Sequence, residues 1–490
     1  MVMDNLPQFI FWKDRNSVYQ GCSYNFARVA GIEGPHAIVG KTDFDLAWKR
    51  EEAEYFRKID DEVMSSGVAR YHIVEPQLQA DGKEAWLETT KVPLAEIRRY
   101  VGVYDAIKQA YVDPVDDHEL MQSAIKGLLL DLDPHSAYLE KSDAQAFDEE
   151  TSGAYDGIGV EVMTLPDGSV KVVSAIDDTP AAQAGLRSGD IIVAVDGRDL
   201  TPSDAAGPGP LRGKPGTSVT LEVVREGMAK PFEVTLKRDT IRVASVRSRM
   251  LEPGYGYIRI SEFQTDTAAD FEKNLDRLQA QSGGKLRGLV LDLRSNPGGL
   301  LTSAVQIADD LLDSGVIVST RGRMPGNDAI FRATPGDRMH GAPVVALVDA
   351  GSASATEVLS GALRDLHRAR IVGSRTFGKG LVQTLLPLDN GDSVKLTTAR
   401  YYTPSGKSIQ GVGIVPDVVL TPDKALATKD GDDDAMPYTE ASLPGHLQGE
   451  DEDDAGTNAG DVLPGDAPIA VALQELKKPV AQAASSVPKG

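Results

Sequence analysis

A serine and a lysine in one stretch of the chain have the types and spacing of a nucleophile and its base. Ser354 ends a turn of small residues, and an apolar run of strand length precedes that turn over 342–348. A helical pattern follows over about 355–366. Because the free N–H groups of a helix N-terminus favour developing negative charge, a serine hydroxyl at this junction suits nucleophilic attack.

The hydroxyl of Ser354 needs a base, and Lys379 is the candidate that the sequence offers. His367 follows Ser354 by 13 residues, which in a helix puts it roughly 20 Å away on another face. Lys379 lies between two glycines in the segment TFGKG, after the apolar run 371–373. Phe377 would help to exclude water from the ammonium group, which lowers the pKa as a lysine base requires.

The segments GSASATE and GSRTFGKGLVQ resemble the serine–lysine active site of the carboxy-terminal processing, or tail-specific, peptidases. The resemblance implies that Ser354 is the nucleophile and Lys379 the general base. It also implies that Gln383 orients the lysine. The alternative for Ser354, taken alone, is a serine that only caps the following helix.

A second segment, LDLRSNPGG at 291–299, resembles another hallmark of the same family. The resemblance implies that its glycine backbone, at Gly298 and Gly299, contributes to the oxyanion hole. The N–H of Ala355, the residue after the nucleophile, is the other implied donor. Together these groups would stabilise the negative charge of a tetrahedral intermediate.

The catalytic domain is expected over 246–422, in an α/β arrangement. Strand patterns at 255–260 and 288–293 lie on either side of a helical pattern at 267–281. The resemblance implies a ClpP/crotonase-like layered sheet. Lys407 is a second lysine near a serine, but it lies in a polar loop and we expect it to be structural.

Short strand patterns with glycine turns occupy 151–245, and with the segment TPAAQAGL they resemble a PDZ domain. Such a domain binds an extended C-terminal peptide as an added strand. One departure is the stretch 201–211, where alternating proline and glycine predict that the second wall of the groove is a shortened or absent helix. The implied peptide-binding residues are Gly157, Ile158, Gly159 and Val160.

The first part of the chain, 1–94, alternates short strand-like and helical pieces and resembles a PAS sensor domain. The segments that carry this resemblance are LPQFIFWKDRNSVYQGCSYNFARVAGI, VGKTDFDLAW and ADGKEAWLETTKVPL. The ligand of such a domain is unknown. Cys22 lies outside the flavin-adduct motif of photosensory relatives, so we expect a small buried or half-buried residue.

A PAS domain would add one more strand after Leu94, but apolar residues recur there at helical spacing. We therefore predict a helical segment over 95–150. Its later part, DPHSAYL at 133–139, resembles the start of the processing peptidases. For His135 we expect turn capping or packing rather than catalysis. The junction at 91–94 indicates a fusion of a sensor to a peptidase.

The composition restricts the function further. At 490 residues the chain is long enough for about three domains and tails. Its net charge of −22 argues against a nucleic-acid partner. The single cysteine allows no internal disulfide, and the histidines lack a metal-binding spacing, so we expect no metal.

Neither a membrane span nor a signal peptide is visible in the sequence. The chain as written is therefore expected in the cytoplasm, although members of the resembled family are usually exported. Beyond 422 the acid, alanine, glycine and proline content predicts disorder over 423–490. Only 469–477 has the pattern of a short helix.

These patterns together predict a multidomain α+β and α/β protein. The function we expect is a serine endopeptidase that cleaves polypeptides near their C-termini without a cofactor. The PAS domain would be a regulatory input, and it or the N-terminal helices could form a homodimer. The alternative is a sensory or scaffold protein that binds partners through its PAS and PDZ domains with little or no proteolysis.

Overall fold

The chain divides into two compact units, Met1–Gln122 and Ser123–Gly490. A computed structural model describes residues 9–176, 178–201, 209–228, 230–323, 326, 328–421, 439–452 and 460–478. The backbone of 94–98 is described without its side chains. Each unit has its own hydrophobic core, so each is described by itself.

The first unit consists of two β-hairpins with helices between and after them. An aromatic cluster that includes Tyr19, Phe26, Trp48 and Phe56 forms its core. The elements in chain order are β1 (Phe11–Lys13), β2 (Tyr19–Cys22), α1 (Tyr24–Val29), α2 (Arg50–Ser66), β3 (Arg70–Leu78), β4 (Glu84–Lys91) and α3 (Leu94–Ala110).

The expected PAS fold is not confirmed for this unit. Strands β1 and β2 form one two-stranded sheet and β3 and β4 another, and no further strand joins them in the described part of the unit. A PAS domain would add a further strand after Leu94, but the helix α3 begins there instead. The helical spacing of residues such as Tyr100 and Tyr104 therefore predicts the structure correctly, and it leaves the two hairpins as separate sheets.

The second unit begins within helix α4 (Asp117–Leu130) and contains an antiparallel sheet of the kind expected for a PDZ domain. The strand order is β12-β11-β9-β8-β7, with β10 beside β9, while β13 pairs with β6. The elements are β5 (Ala137–Leu139), α5 (Lys141–Ser152), β6 (Ala154–Gly157), β7 (Val160–Thr164), β8 (Val170–Ala175), α6 (Pro180–Gln183), β9 (Ile191–Val195), β10 (Arg198–Asp199), β11 (Ser218–Val224), β12 (Phe232–Lys237) and β13 (Asp239–Arg242).

The catalytic part of this unit follows as an α/β structure. Its elements are β14 (Val246–Glu252), β15 (Tyr255–Ile260), α7 (Thr267–Gln281), β16 (Gly288–Asp292), α8 (Leu301–Leu311), β17 (Val316–Gly322), β18 (Ala329–Arg332), β19 (Val344–Val348), α9 (Ala355–Asp365), β20 (Ala369–Gly373), β21 (Leu381–Pro387), β22 (Ser393–Tyr402) and β23 (Val418–Val419).

Two sheets position the catalytic residues. The first has the order β14-β15-β16-β19-β20-β23 and is parallel from β15 onward. The second has the order β18-β17-β22-β21, with β5 paired to β22. Helices α7, α8 and α9 share one apolar core with one face of the first sheet. This layering agrees with the expected α/β arrangement, and the ClpP/crotonase-like assignment stays a prediction.

The described parts of the acidic tail, 439–452 and 460–478, contain packed structure, although the tail was expected to be mostly disordered apart from a short helix at 469–477. Helix α10 (Ala467–Leu476) covers the other face of the first sheet. Its apolar residues Ile469, Ala472 and Leu476 are buried against strand residues that include Val290 and Val345. The apolar pattern at 469–477 thus predicted this helix, whereas the acid, glycine and proline that dominate the average composition gave no sign of the structure at 439–452.

Candidate active site

Ser354 lies where the sequence predicts, at a turn between a strand and a helix. The buried strand β19 ends at Val348, and α9 begins at Ala355. The backbone of Ser354 has φ 55° and ψ −116°, a conformation that residues with side chains rarely adopt and that recurs at active sites. The turn therefore holds the serine in a strained geometry at the end of the first sheet.

Glu357, in the first turn of α9, connects the serine turn to the lysine turn. Its Oε2 accepts hydrogen bonds from the backbone N–H groups of Ser354 and Lys379, both at 2.8 Å. Its Oε1 accepts from the N–H of Gly378 at 2.7 Å and from the hydroxyl of Thr376. One buried carboxylate thus brings the two expected catalytic residues together through their backbones.

The electrostatics of Glu357 reflect two opposing effects. Burial raises the pKa of the carboxyl group from its usual 4.5 to about 7, although the hydrogen bonds that it accepts act in the other direction. The sequence analysis did not single out this residue. The signal for it was the spacing S-x-x-E of a capping box, with Ser354 at the helix start and glutamate three residues on.

Lys379 lies on the loop between β20 and β21 and is partly buried. Burial lowers the pKa of its ammonium group, and the charge of Lys395 adds to this effect, while nearby carboxylates oppose it. Within the described residues no hydrogen bond joins Ser354 Oγ to Lys379 Nζ. Catalytic hydrogen bonds are often long in ligand-free enzymes, so the contact is expected to tighten with substrate.

Gln383 lies on β21, and its side chain points to a different partner from the expected one. Its Nε2 donates to Thr397 Oγ1 at 3.3 Å across the β21–β22 pair. Thr397 Oγ1 donates in turn to Asp133 Oδ1 at 3.1 Å. In the part of the chain that the structure describes, the amide of Gln383 is therefore bound to the second sheet and makes no hydrogen bond with Lys379.

Of the glycines expected in the oxyanion hole, Gly298 lies next to Ser354. A Cβ added to Gly298 would lie 2.9 Å from Ser354 Cβ and 3.1 Å from the backbone nitrogen of Ala355, so only glycine fits there. The N–H of Gly298, however, donates to Asn296 Oδ1 at 2.9 Å. Ala355 is the first residue of α9, and its N–H has no acceptor within the helix. Gly299, with φ 122°, packs against the backbone of Phe263.

A buried ion pair lies at the end of β16, directly before the glycine turn. Arg294 donates to Asp292 from Nε at 2.9 Å and from Nη2 at 2.6 Å. Although burial raises it, the pKa of Asp292 is held below its usual range by hydrogen bonds from Arg294 and Tyr257. Arg294 Nη1 also donates to the carbonyls of Leu463 and Gly465. The tail thus contacts the back of the active site.

The expected peptide groove would lie at the edge of the PDZ-type sheet, where β7 is the last strand among the described residues. A cavity of about 250 Å³ is lined there by Ile158, Gly159 and Val160, among other residues. Gly157 ends β6, directly before the loop. The predicted shortening of the opposite wall falls largely on 202–208, which lies outside the described residues.

Other residues considered in the sequence have structural surroundings. The backbone N–H of His135 donates to Asp133 Oδ1 at 2.8 Å, and its ring Nε2 lies 2.8 Å from Glu440 Oε2. Lys407 is exposed on a loop. Cys22 is buried and is not in a disulfide. Among the described helices, none combines the length and apolar character needed to cross a membrane.

A strained serine at a helix start, a partly buried lysine whose backbone binds the same carboxylate, and a PDZ-type sheet are the features expected of a serine peptidase that carries a PDZ domain. Comparison with known families agrees with this class. The model of Peptidase family S41 matches residues 254–420, and a PDZ domain model matches 156–236. Residues 52–143 match the Activating protease CtpB N-terminal domain, and no comparison shows a PAS domain there.

Individual relatives extend the similarity over most of the chain. The Carboxy-terminal-processing protease of Bartonella bacilliformis is 41% identical over 387 residues, which are 78% of this chain and 88% of that protein. The Carboxy-terminal processing protease CtpA of Bacillus subtilis is 36% identical over 64% of this chain and 67% of that protein. The solved photosystem II D1 C-terminal processing protease is 32% identical, covers 67% of this chain and 94% of that chain, and has a TM-score of 0.38.

The chain belongs to the family of carboxy-terminal-processing proteases and is a serine peptidase of that type.

Proposed function

We propose that the chain hydrolyses polypeptides near their C-termini, with Ser354 as nucleophile, Lys379 as general base and Gln383 as a residue that orients the base. The observation that supports this most strongly is the single oxygen of Glu357 that accepts from the backbones of Ser354 and Lys379. Helix α9 and strand β20 separate the two turns, and a shared buried acceptor is a reason for the turns to meet.

In the proposed mechanism Lys379 acts as a neutral amine, which its partial burial favours. It takes the proton of the Ser354 hydroxyl as Oγ attacks the carbonyl carbon of the scissile peptide. The resulting ammonium group gives this proton to the leaving amine, and an acyl-enzyme remains. A water molecule then attacks the ester, with Lys379 again as base, and Ser354 is regenerated. These steps use side chains alone and need neither metal nor nucleotide.

The oxyanion of each tetrahedral intermediate is expected to bind backbone N–H groups beside Ser354. Ala355 is the first proposed donor, because its N–H lies at the start of α9 without an acceptor in the helix. Gly299 is the second. Gly298 would contribute its N–H only if Asn296 Oδ1 released it, and otherwise supplies the space that a side chain would fill.

Substrate choice is proposed to lie in the PDZ-type domain. The free edge of β7 offers backbone groups to an extended peptide, and the positive φ of Gly159 shapes the loop before it. Thr179 packs so closely on Gly159 that an added Cβ would lie 2.3 Å from the threonine Cβ. A free C-terminal carboxylate would bind the N–H groups of this loop, at Gly157, Ile158 and Gly159.

The test of the proposed function is degradation of an unfolded protein by wild type and by Ser354→Ala. We expect the substitution to abolish cleavage, because Ser352, the other serine of the turn before α9, is fully buried and donates its hydroxyl to the carbonyl of Leu293 at 2.8 Å. Mass spectrometry of the products would show whether cuts cluster near the C-terminus. Equal degradation by both proteins would reject the peptidase mechanism and favour a binding role for the chain.

The N-terminal unit is proposed to be a regulatory domain of PAS type whose ligand is unidentified. It is also proposed to form a homodimer. The support is the order of elements from β1 to β4 and a run of exposed apolar residues on α3, including Tyr100, Val101 and Val103. A native mass spectrum of the purified chain tests both points. A bound small molecule or a dimer supports the proposal, whereas a ligand-free monomer contradicts it.

A further inference from the structure

A segment of the acidic tail, 439–452, returns to the loop that carries the lysine, although the S41 family model ends at residue 420. The backbone N–H of Glu440 donates to the carbonyl oxygen of Phe377 at 3.1 Å. Further along the segment, the carbonyls of Leu447 and Gln448 accept from Gln410 Nε2 and Arg400 Nη1, both at 2.8 Å. The segment is thus bound at both ends to the catalytic part.

The carboxylate of Glu440 is fully buried at the centre of these contacts. His135 Nε2 lies 2.8 Å from its Oε2 and 3.0 Å from its Oε1. Gln410 Nε2 donates to Oε1 at 2.9 Å. A buried charge is tolerated only where such partners replace water. Glu440 therefore joins the start of the catalytic unit, at His135, to Gln410, which lies after β22.

Gln410 connects Glu440 to the loop that carries Lys379. Its Oε1 accepts from the N–H of Gly380 at 2.9 Å, and its Nε2 donates to Glu440 and to the carbonyl of Leu447. The approach is close, since a Cβ added to Gly380 would lie 2.3 Å from the backbone nitrogen of Gln410. The residues on either side of Lys379 are therefore held by Glu440, directly at Phe377 and through Gln410 at Gly380.

We propose that Glu440 is a positioning residue for the catalytic lysine, and that the short turn of the tail that carries it, Glu440–Ser442, is a part of the active site rather than an appendage. This inference rests on the proposed function, since it takes Lys379 as the base. Glu357, on the helix that follows Ser354, binds the loop of Lys379 through the N–H groups of Gly378 and Lys379. Glu440, in the tail, binds the same loop through the carbonyl of Phe377.

The charged groups around Lys379 predict that its pKa depends on Glu440, which can be measured. Burial lowers the pKa of the ammonium group, and the negative charge of Glu440 is the largest opposing effect. Glu357 on α9 and Asp133 before β5 act in the same direction as Glu440, whereas Lys395 on β22 acts with burial. Removal of the charge of Glu440 should therefore lower the pKa of Lys379 further.

The test compares Glu440→Gln with wild type in the full-length chain, through kcat and KM for a peptide substrate across pH. The amide keeps the size of the side chain but loses the charge. We expect kcat to fall about 10- to 100-fold with little change in KM, because misplacement of the base affects the reaction and not the peptide groove. The ascending limb of kcat against pH should shift to lower pH.

Glu450→Gln is the matched control. Glu450 lies on the same segment, is exposed, and accepts from the hydroxyl of Tyr402 at 2.7 Å without contact to the lysine turn. The same chemical change is made, and the charge of the chain changes equally. We expect wild-type kcat and an unmoved pH profile.

Two results in Glu440→Gln would overturn the proposal: wild-type kcat with an unmoved pH profile, or a lower Tm with a normal profile in the folded enzyme. The second result describes a segment that only stabilises the fold. Lys379→Ala separates this failure from a failure of the proposed function. If Lys379→Ala retains activity, the lysine is not the base; if it is inactive while Glu440→Gln is normal, only the role of Glu440 is wrong.

Discussion

The two units of the chain differ in how completely their buried polar groups are hydrogen-bonded. At the catalytic turns, Glu357 is fully buried and accepts four hydrogen bonds. In the first unit several buried polar atoms have no partner among the described residues, whereas the much longer second unit has one such atom, in Asp310. The unpaired atoms of the first unit belong to Ser17, Trp48, Glu75 and Gln77.

This difference in hydrogen bonding indicates which unit has the more completely determined structure. An unpaired buried polar group costs about 1 to 3 kcal/mol, so a satisfied network favours one arrangement over its alternatives. The first unit does pair its buried charges: Lys13 contacts Asp43 and Asp60, and Lys91 contacts Asp60, all at 2.7 Å. Its unpaired atoms accompany two hairpins that no strand joins in the described part. The catalytic unit is thus the more completely determined structure.

The largest effect is expected at the lysine that the satisfied network surrounds. Lys379→Arg should reduce kcat by at least about 10³-fold, because a guanidinium group stays protonated and cannot act as a base. Turnover of a peptide substrate measures this, with circular dichroism to confirm the fold. Lys407→Ala, at an exposed loop lysine, is the control and should behave as wild type.

Gln383→Ala belongs to the same measurement and should lower kcat by only about 10-fold, since the role proposed for this residue is to orient the base and not to transfer a proton. Substantial activity in the arginine variant would remove Lys379 from the mechanism and leave the buried network with a purely structural role.

A second effect concerns Glu357 and has a defined pH dependence. The folded state raises the pKa of this carboxyl from 4.5 to about 7, so it binds more protons than the unfolded state between these values. The contribution of this group to the free energy of unfolding is therefore complete below about pH 4.5. It is lost as the pH rises through about 7, and the total loss is roughly 3 kcal/mol.

Glu357→Gln should remove this loss, because an amide does not titrate in this range. It should also lower kcat about 100-fold, since an NH₂ group would meet the donors of the catalytic turns. Urea unfolding of both proteins from pH 4 to 8 is the measurement. Parallel stability profiles would show that the carboxylate is ionised throughout, with its four donors outweighing burial.

Much of the catalytic site could be predicted because its signals are local. The strand, turn and helix around Ser354 follow from a short apolar run, small residues and helical spacing, and α7 begins and ends where its pattern does. The position of Lys379 needed only its glycines and the motif. These features depend on neighbours in sequence, which a reader of the sequence can see.

The rest depends on contacts between distant parts of the chain. Nothing near Glu440 indicates that its carboxylate meets His135, and nothing near Leu463 indicates that its carbonyl accepts from Arg294. The tail was expected to be mostly disordered because its average composition is acidic, and only the helix at 469–477 could be predicted, from its own apolar pattern. The contacts of that helix with the sheet could not be predicted from the pattern.

A third effect tests whether the tail helix is a part of the catalytic core. Leu476 is buried on Gly288 of β16, where an added Cβ would lie 2.8 Å from the leucine Cγ. Leu476→Ala should reduce the free energy of unfolding of the second unit by about 2 to 4 kcal/mol. Gln474→Ala, at an exposed position of the same helix, is the control. Equal stability of the two variants would mean that α10 leaves the sheet in solution.

The smallest effect is expected in the first unit, where the comparison predicts a gain rather than a loss. Glu75 is buried, its Oε2 has no partner within the described residues, and burial raises the pKa of the carboxyl despite the charge of Lys91. The folded state therefore disfavours the ionised form, and stability from this group falls as pH rises. Glu75→Gln should stabilise the hairpin of β3 and β4 by up to about 1 kcal/mol at neutral pH, with no gain in acid. Hydrogen exchange of residues 70–78 measures this, with the exposed Glu54→Gln as control. A loss of protection at neutral pH would show that the carboxylate of Glu75 has a partner in solution, and that the interior of the first unit is as completely paired as the catalytic turns.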